Sequence, residues 1–255
     1  MDIQIKKRKR IVGVVVVLLL IFVIYGFCNW FSFSGNNLED LGVIYINFDD
    51  GLLSQYAYAF PEMKKYGYNA TLFIMANKTG LFEGRELMTF DNAREMENSG
   101  WEIGSHGLDH EFIDELNSYE QIVESKNILV SEGFMISSFA CAGGCNESVE
   151  NLRVIGNEYY STVRSLDWGE NDLYNYNSKR LSSKWVNNID TSERVCDWIR
   201  YARDNKKLFV LLFHGISEEE RPFHSYDMSL DNFKKILVCI NESGMEVKTL
   251  RSLKE

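Results

Sequence analysis

The sequence predicts an α/β fold in which a parallel sheet closes into a barrel. Short apolar segments rich in β-forming residues recur seven times along residues 41–255, and segments with helical character lie between most of them. Strands that alternate with helices favour a parallel sheet covered by helices. Seven such units in a stretch the size of one large domain favour a barrel over an open sheet.

The elements follow one another without a second linker or an internal repeat. The predicted strands lie at residues 43–48, 70–75, 101–104, 135–140, 159–164, 208–213 and 245–250. The predicted helices lie near residues 53–66, 90–98, 117–131, 147–156, 191–205 and 229–242. Gly67, Gly100, Gly133 and Gly156 follow the first four helices, at positions where glycine commonly ends a helix.

The N-terminal segment is predicted to be an uncleaved membrane anchor. Five consecutive cations at residues 6–10 precede an uncharged apolar run at 11–28. A helix of that length spans about 27 Å, just enough to cross the hydrocarbon core. A cleaved signal peptide is the main alternative, but the run is long for one and no small-residue cleavage site follows it. The positive-inside rule predicts a single-pass protein with a cytoplasmic tail at 1–10, a linker at 29–40 and an extracytoplasmic domain at 41–255.

The charge and the cysteine content of the chain bear on which partners it binds and in which compartment it lies. The chain carries a net charge of −10, and its first ten residues carry +4, which leaves −14 for the remainder. Such an acidic domain argues against nucleic acid as a partner. In the predicted topology, Cys141, Cys145, Cys196 and Cys239 face a compartment that permits disulfides. The sequence leaves disulfides, free thiols and a metal site at the first two of these cysteines open.

Polar residues follow three of the predicted strands at the point where each strand ends. Asp49 and Asp50 follow the first strand, His106 follows the third and His214 follows the sixth. In α/β barrels the active site lies at the carboxyl ends of the strands, so these groups are expected at one rim. A solvated turn is the alternative for Asp-Asp-Gly, which is a favourable turn sequence.

Two histidines are spaced as metal ligands. His106 and His110 are four residues apart, which places both rings on one face of a helical turn. A carboxylate from another strand end would complete a site of two histidines and one carboxylate, with positions left for water and substrate. His224 lies in a polar loop and is predicted to be a surface residue.

These motifs, in this order, resemble the polysaccharide deacetylases of carbohydrate esterase family 4. The matching segments are NFDDG at 47–51, SHGLDH at 105–110 and LLFHG at 211–215, within a resemblance that covers about 43–251. The resemblance implies a distorted (β/α)7 barrel that holds one divalent metal ion, usually Zn²⁺.

The resemblance also implies roles for individual residues. Asp50, His106 and His110 would hold the metal, Asp49 would be the general base and His214 would be the general acid. The implied reaction is hydrolysis of N-acetyl groups on a polymer that contains N-acetylhexosamine.

The sequence departs from the family in its third motif. The family usually has Arg-x-Pro-Tyr there, with an arginine that orients the base, whereas this chain has FACAGGCN at 139–146 and Ala140 at the arginine position. Arg164, at the end of the fifth predicted strand, could reach the same rim and is a conceivable substitute for that arginine. A salt-bridged rim residue is the alternative. Among the site residues, we assign Arg164 to substrate binding.

The fourth motif is better preserved. Asp167 and Trp168 match its usual Asp-Trp ending. The resemblance implies that Asp167 orients His214 and that Trp168 binds substrate as an apolar wall beside the acetyl methyl group. A plain core position is the alternative for Trp168.

The predicted function is therefore a membrane-anchored, metal-dependent deacetylase that acts on an N-acetylated glycan outside the cell membrane. An O-acetyl esterase and a divergent, inactive glycan-binding relative are the alternatives. The glycan cannot be read from the sequence, because specificity lies in rim loops such as 76–88, 141–147, 169–190 and 215–230. Aromatic residues in the third of these loops, including Trp185, suit stacking on sugar rings.

Overall fold

The structure is a computed structural model that describes residues 41–143 and 158–253. Its strands are β1 (Val43–Phe48), β2 (Thr71–Ile74), β3 (Leu81–Phe82), β4 (Arg85–Glu86), β5 (Glu102–Ser105), β6 (Ser138–Ala140), β7 (Thr162–Trp168), β8 (Asn171–Asp172), β9 (Leu181–Trp185), β10 (Lys207–Phe213), β11 (Ile216–Ser217), β12 (Met228–Ser229) and β13 (Glu246–Lys248). Its α-helices are α1 (Phe60–Lys64), α2 (Phe90–Asn98), α3 (Ser125–Ser131), α4 (Ser192–Asp204) and α5 (Leu230–Ser243). π-Helical turns at Gln55–Ala59 and Glu120–Glu124 lead into α1 and α3, and a 3₁₀ turn spans Leu250–Ser252.

Seven parallel strands form a closed barrel. They follow the order β1, β2, β5, β6, β7, β9 and β10, and β10 pairs back onto β1. The closing pair is in register from Val43 opposite Leu208 to Phe48 opposite Phe213. The predicted α/β barrel with parallel strands is therefore confirmed.

The seventh strand of the barrel is not the one that the sequence predicts. The apolar segment 245–250 contains β13, which pairs with the first half of β1 but lies outside the closed ring. β9 completes the ring instead, from within the segment 169–190 that was predicted as a loop. Its sequence LSSKW lacks an apolar run, because buried Ser183 takes an inward position that apolar side chains usually fill.

Strands and helices share one aromatic core. The ring of Phe48 in β1 lies 5.5 Å from Trp101, 5.6 Å from Phe213 in β10 and 6.1 Å from Phe233 in α5. All four residues are almost completely buried. Burying side chains of this size contributes about 2–3 kcal/mol each, so this cluster fixes α5 against the two strands that close the barrel.

A disulfide joins the two C-terminal helices. Cys196 of α4 and Cys239 of α5 are bonded, with their Cα atoms 5.7 Å apart and 43 residues between them in sequence. Closing a loop of that length stabilises the folded state by about 4 kcal/mol in the chain-entropy treatment. The sequence left a disulfide and free thiols open for these two cysteines, and the structure shows the disulfide.

Several sequence-based predictions fall outside the described residues. They are the basic tail, the membrane anchor and the linker within 1–40, and the helix near 147–156. Within 41–143 and 158–253, no helix combines the length and apolar character needed to cross a membrane.

Candidate active site

The polar strand ends meet at one rim of the barrel. Asp49 and Asp50 follow β1, His106 follows β5 and His214 follows β10, and all four line the same cleft of about 330 Å³. His110 also lines it, from the loop after β5. The structure thus brings together all five residues that the sequence predicts as metal ligands or acid–base groups.

The backbone turns sharply where the two aspartates lie. Asp50 has a φ of 75° and Gly51 a φ of 71°, so two consecutive residues are left-handed. Aspartate tolerates this conformation better than most side chains, and glycine adopts it freely. A Cβ atom on Gly51 would also lie only 3.0 Å from Ile74 Cγ2. The sequence Asp-Asp-Gly therefore suits this exit from β1.

Asp50, His106 and His110 have the arrangement of a metal site. Asp50 Oδ1 lies 3.5 Å from Nε2 of each histidine, and one donor atom from each residue falls within 4.8 Å of the others. Asp50 Oδ1 is buried and has no hydrogen-bond partner among the described residues. A carboxylate oxygen left bare beside two imidazole nitrogens is a suitable donor set for a divalent cation.

Neighbouring groups fix the two histidines. His106 Nδ1 lies 2.9 Å from the Ala140 carbonyl oxygen, to which it donates in the tautomer that leaves Nε2 free to bind a metal. The loop of His110 is held by buried Gln121, which accepts from Leu108 N–H at 2.8 Å and donates to Asp109 at 2.7 Å. Both ligand orientations are thus set before any metal binds.

The electrostatics of Asp50 favour its charged form. Burial by itself raises the pKa of this carboxyl group, but the imidazoles of His106 and His214 outweigh burial and hold the pKa below its ordinary range. Burial lowers the pKa of His110, which favours the neutral, metal-binding imidazole. These are the protonation states that a metal requires at Asp50 and His110. The pKa of His106 shifts the other way: burial lowers it, but the carboxylates of Asp49 and Asp50 outweigh the effect of burial and raise it.

Asp49 is held by Arg164. The guanidinium Nη2 donates to Asp49 Oδ2 at 2.5 Å, and both side chains are buried. Arg164 in β7 is paired directly with Ala140 in β6, which stands at the position of the family arginine. Arg164 is completely buried against Asp49, which fits an orienting role, and its assignment to substrate binding stays a prediction.

His214 lies on the other side of Asp49. Its Nε2 is 3.9 Å from Asp49 Oδ2, and its ring lies 5.1 Å from that of Tyr226. Burial lowers the pKa of His214, while the carboxylates of Asp50 and Asp49 oppose that shift. Its Nδ1 has no hydrogen-bond partner within the described part of the chain.

The two residues of the fourth motif lie elsewhere. Asp167 forms an ion pair with Arg180 at 2.8 Å and accepts a hydrogen bond from Ser165. Its action on His214 stays a prediction. Trp168 packs edge-on against Trp185, with ring centroids 4.5 Å apart, and it is Trp185 that lines the cleft.

Two cleft residues were missed by sequence reasoning. Arg85 in β4 forms ion pairs with Asp50 at 3.5 Å and with Asp227 at 2.9 Å. Tyr226 lines the cleft beside His214. The sequence LFEGRE contains a hairpin signal, since Glu83 and Gly84 both adopt positive φ, but nothing in it shows that the hairpin reaches the rim.

Comparison with known proteins agrees with this fold. The sequence matches the polysaccharide deacetylase family model over residues 39–131. It is 35% identical over 78 residues to YxkH of Bacillus subtilis (strain 168), whose name assigns it provisionally to the polysaccharide deacetylases. That alignment covers 31% of this chain and 27% of the relative, so the chain matches only about a quarter of that protein's length.

Solved structures share the barrel. The Bc1960 peptidoglycan N-acetylglucosamine deacetylase has a TM-score of 0.56 at 19% identity, with 82% of this chain and 86% of that chain covered. A family 4 acetyl xylan esterase from Clostridium thermocellum, in complex with a cobalt ion, has a TM-score of 0.53 at 21% identity, with 82% and 88% covered. At these identities the likeness establishes the fold alone. The sequence matches over the N-terminal part of the described domain confirm the resemblance to the polysaccharide deacetylases.

We expect purified protein to contain about one divalent metal ion per chain, measured by elemental mass spectrometry. Replacing His110 by alanine should lower the affinity about 100-fold or more, because one of three donors is lost. His224→Ala is the matched control, since His224 lies outside the group of candidate ligands. Equal metal content in the two variants would exclude the site.

Proposed function

We propose that the chain is a metal-dependent deacetylase that removes N-acetyl groups from a polysaccharide containing N-acetylhexosamine. The observation that carries the proposal is the position of Asp49. This carboxylate is held by Arg164 on one side, lies 3.9 Å from His214 on another, and directly precedes the candidate metal ligand Asp50. The match to the polysaccharide deacetylase family model over residues 39–131 and the fold shared with a peptidoglycan deacetylase support the same reaction.

We propose Zn²⁺ as the metal and Asp50, His106 and His110 as its ligands. Three protein donors of this kind, with at least one position open to water and substrate, are typical of catalytic zinc sites. When bound, the ion lowers the pKa of a water molecule and polarises the acetyl carbonyl group.

The two oxygens of Asp49 have different surroundings, which suits a general base. Oδ2 accepts the hydrogen bond from Arg164, while Oδ1 has no hydrogen-bond partner among the described residues. Oδ1 is thus available to accept the proton of the attacking water. The hydrogen bond from Arg164 restrains the carboxylate and places a positive charge beside it.

His214 supplies the proton that the leaving amine needs. An amine anion is a very poor leaving group, so the nitrogen must be protonated as its bond to the acetyl carbon breaks. The Nε2 atom of His214 lies 3.9 Å from Asp49 Oδ2, so the acid and the base are close enough to act on one reacting group. Leu166, Trp185 and Leu212 line the cleft and provide apolar surface for the acetyl methyl group and the sugar.

The proposal predicts that Asp49→Asn loses acetate release by about 10²- to 10⁴-fold, because the amide accepts no proton. Metal content should stay unchanged, since Asp49 is not one of the proposed ligands. The assay follows free acetate from N-acetylglucosamine oligomers, peptidoglycan and acetylated xylan with the full chain. Asp231→Asn, at an exposed position in α5, is the matched control. Full activity of Asp49→Asn would exclude Asp49 as the base.

An O-acetyl esterase is the second candidate. His214 Nδ1 lacks a described hydrogen-bond partner, and Asp167, the predicted orienting carboxylate, is paired with Arg180. An ester releases its alcohol with less help from an acid than an amide needs to release its amine. The same acetate assay separates these functions by the ratio of rates on xylan esters and on N-acetylated oligomers. A metal-loaded wild type that binds glycan and releases no acetate would be the inactive relative instead.

The pairing of β6 with β7 allows a direct test of Arg164. We expect Arg164→Ala to lower kcat about 100-fold, through misplacement of Asp49, and to destabilise the fold by about 3–5 kcal/mol, because a buried charge is left alone. The double variant Ala140→Arg, Arg164→Ala returns a guanidinium to the rim from the neighbouring strand. It should recover at least about tenfold of the lost kcat. A double variant no better than Arg164→Ala would show that Arg164 does more than orient the base.

We also propose that residues 41–255 lie outside the cell membrane, anchored by residues 11–28 with the N-terminus in the cytoplasm. The disulfide between Cys196 and Cys239 supports this, because such bonds persist in oxidising compartments. In intact cells, Cys196 and Cys239 should resist alkylation until a reductant is added. A protease added outside the cells should digest the domain. Immediate alkylation of both thiols would place the domain in a reducing compartment.

A further inference from the structure

A single buried glutamine contacts both strand ends that carry the acid–base residues. Gln55 begins the π-helical turn before α1 and is completely buried. Its Nε2 donates to the Asp49 carbonyl oxygen at 2.5 Å and to the His214 carbonyl oxygen at 3.1 Å. An amide NH₂ group has two hydrogens, so one side chain satisfies both carbonyls.

These two carbonyls lie just past the end of the β1–β10 ladder. Its last residue pair is Phe48 opposite Phe213, and the next hydrogen bond runs from Asp49 N–H to the Phe213 carbonyl at 3.1 Å. Beyond it the chain turns away through left-handed Asp50, so the ladder cannot continue. Gln55 therefore takes the place of the missing pair and extends the link between the strands by one step.

The same turn makes a second link across the two strand exits. Ser54 Oγ accepts a hydrogen bond from Ile216 N–H at 3.2 Å, two residues beyond His214. Gln55 N–H itself donates to the Leu52 carbonyl at 3.0 Å, which fixes the turn onto the segment that follows Asp50. π-Helical turns are frequent at functional sites, and this one places its first side chain against the backbone carbonyls of the two candidate acid–base residues.

We propose that Gln55 is a positioning residue that sets the separation of Asp49 from His214. The inference rests on the proposed roles of these two residues as base and acid. Gln55 acts on their backbones, whereas Gln121 holds the loop of the candidate metal ligand His110. The two buried glutamines thus support different halves of the site, and each serves as the control for the other.

The experiment compares Gln55→Met with Gln121→Met in the full chain. Gln55→Met should lower kcat for acetate release about 10- to 100-fold with KM changed less than about twofold, since the acid and base are misplaced but the cleft is intact. Its metal affinity should stay within about twofold of wild type. Gln121→Met should lower metal affinity about 10- to 100-fold and recover kcat at saturating metal.

Two further variants separate the hydrogen bonds from packing. Gln55→Glu keeps the length of the side chain, but a carboxyl group donates at most one hydrogen bond, so it cannot satisfy both carbonyls and should lower kcat. Gln55→Asn keeps the NH₂ group but is one methylene shorter, so it should reach one carbonyl only and lose less. If Gln55→Met fails to fold, these two variants still test whether the Gln55 hydrogen bonds position the acid and the base.

A readout independent of turnover separates this proposal from the proposed function. The chain has only four histidines, so ¹³C-labelled histidine gives a spectrum that single His→Ala variants can assign. Gln55→Met should move or broaden the His214 signal and leave that of His224 unchanged. An unmoved His214 signal, or a loss of kcat explained by metal loss alone, would overturn the role of Gln55. Absence of acetate release from metal-loaded wild type would overturn the proposed function, and the spectra would still test Gln55.

Discussion

Pairing of β10 with β1 is the contact on which both the barrel and its rim depend. Six residue pairs join two strongly apolar strands, from Val43 and Leu208 to Phe48 and Phe213, and the same contact closes the ring. Because the strands end in register, the residues that follow, Asp49 and His214, emerge side by side. Burial of the aromatic core stabilises this closure, and that stabilisation offsets the cost of removing charged groups from water at the rim.

Apolar strands and periodic helices were predictable because their signals are local. The first and sixth predicted strands agree with β1 and β10 to within one residue, and the second predicted helix, at 90–98, has the bounds observed for α2. β9 was missed because its inward Ser183 carries no apolar signal, and β13 was assigned to the ring because apolar content does not reveal pairing partners. The strand that closes a barrel is determined by contacts between residues that are distant in sequence, and a local sequence pattern gives no information about such contacts.

The site was predictable wherever a polar residue directly follows an apolar strand, as His106 and His214 do. The fourth motif shows where this reasoning stops. The pairing of β7 with β9 shifts in register between Arg164 and Trp168, and such an irregularity changes which side chains face the cleft. Leu166, two residues after Arg164 in the same strand, lines the cleft, while Asp167 pairs with Arg180. Arg85 reaches the rim from a hairpin, whose position depends on the distant residue Asp227.

In the altered third motif, the arginine that the family has at position 140 is replaced by Arg164, which reaches Asp49 from the neighbouring strand. A buried carboxylate such as Asp49 needs a cation within reach, and a long guanidinium side chain can approach the same point from either of two neighbouring strands. Ala140 and Arg164 are direct partners across β6 and β7, and both are completely buried. A chain with alanine on β6 and arginine on β7 therefore meets the same electrostatic requirement as the family pattern, and the missing arginine at position 140 gives no reason to regard the chain as an inactive relative.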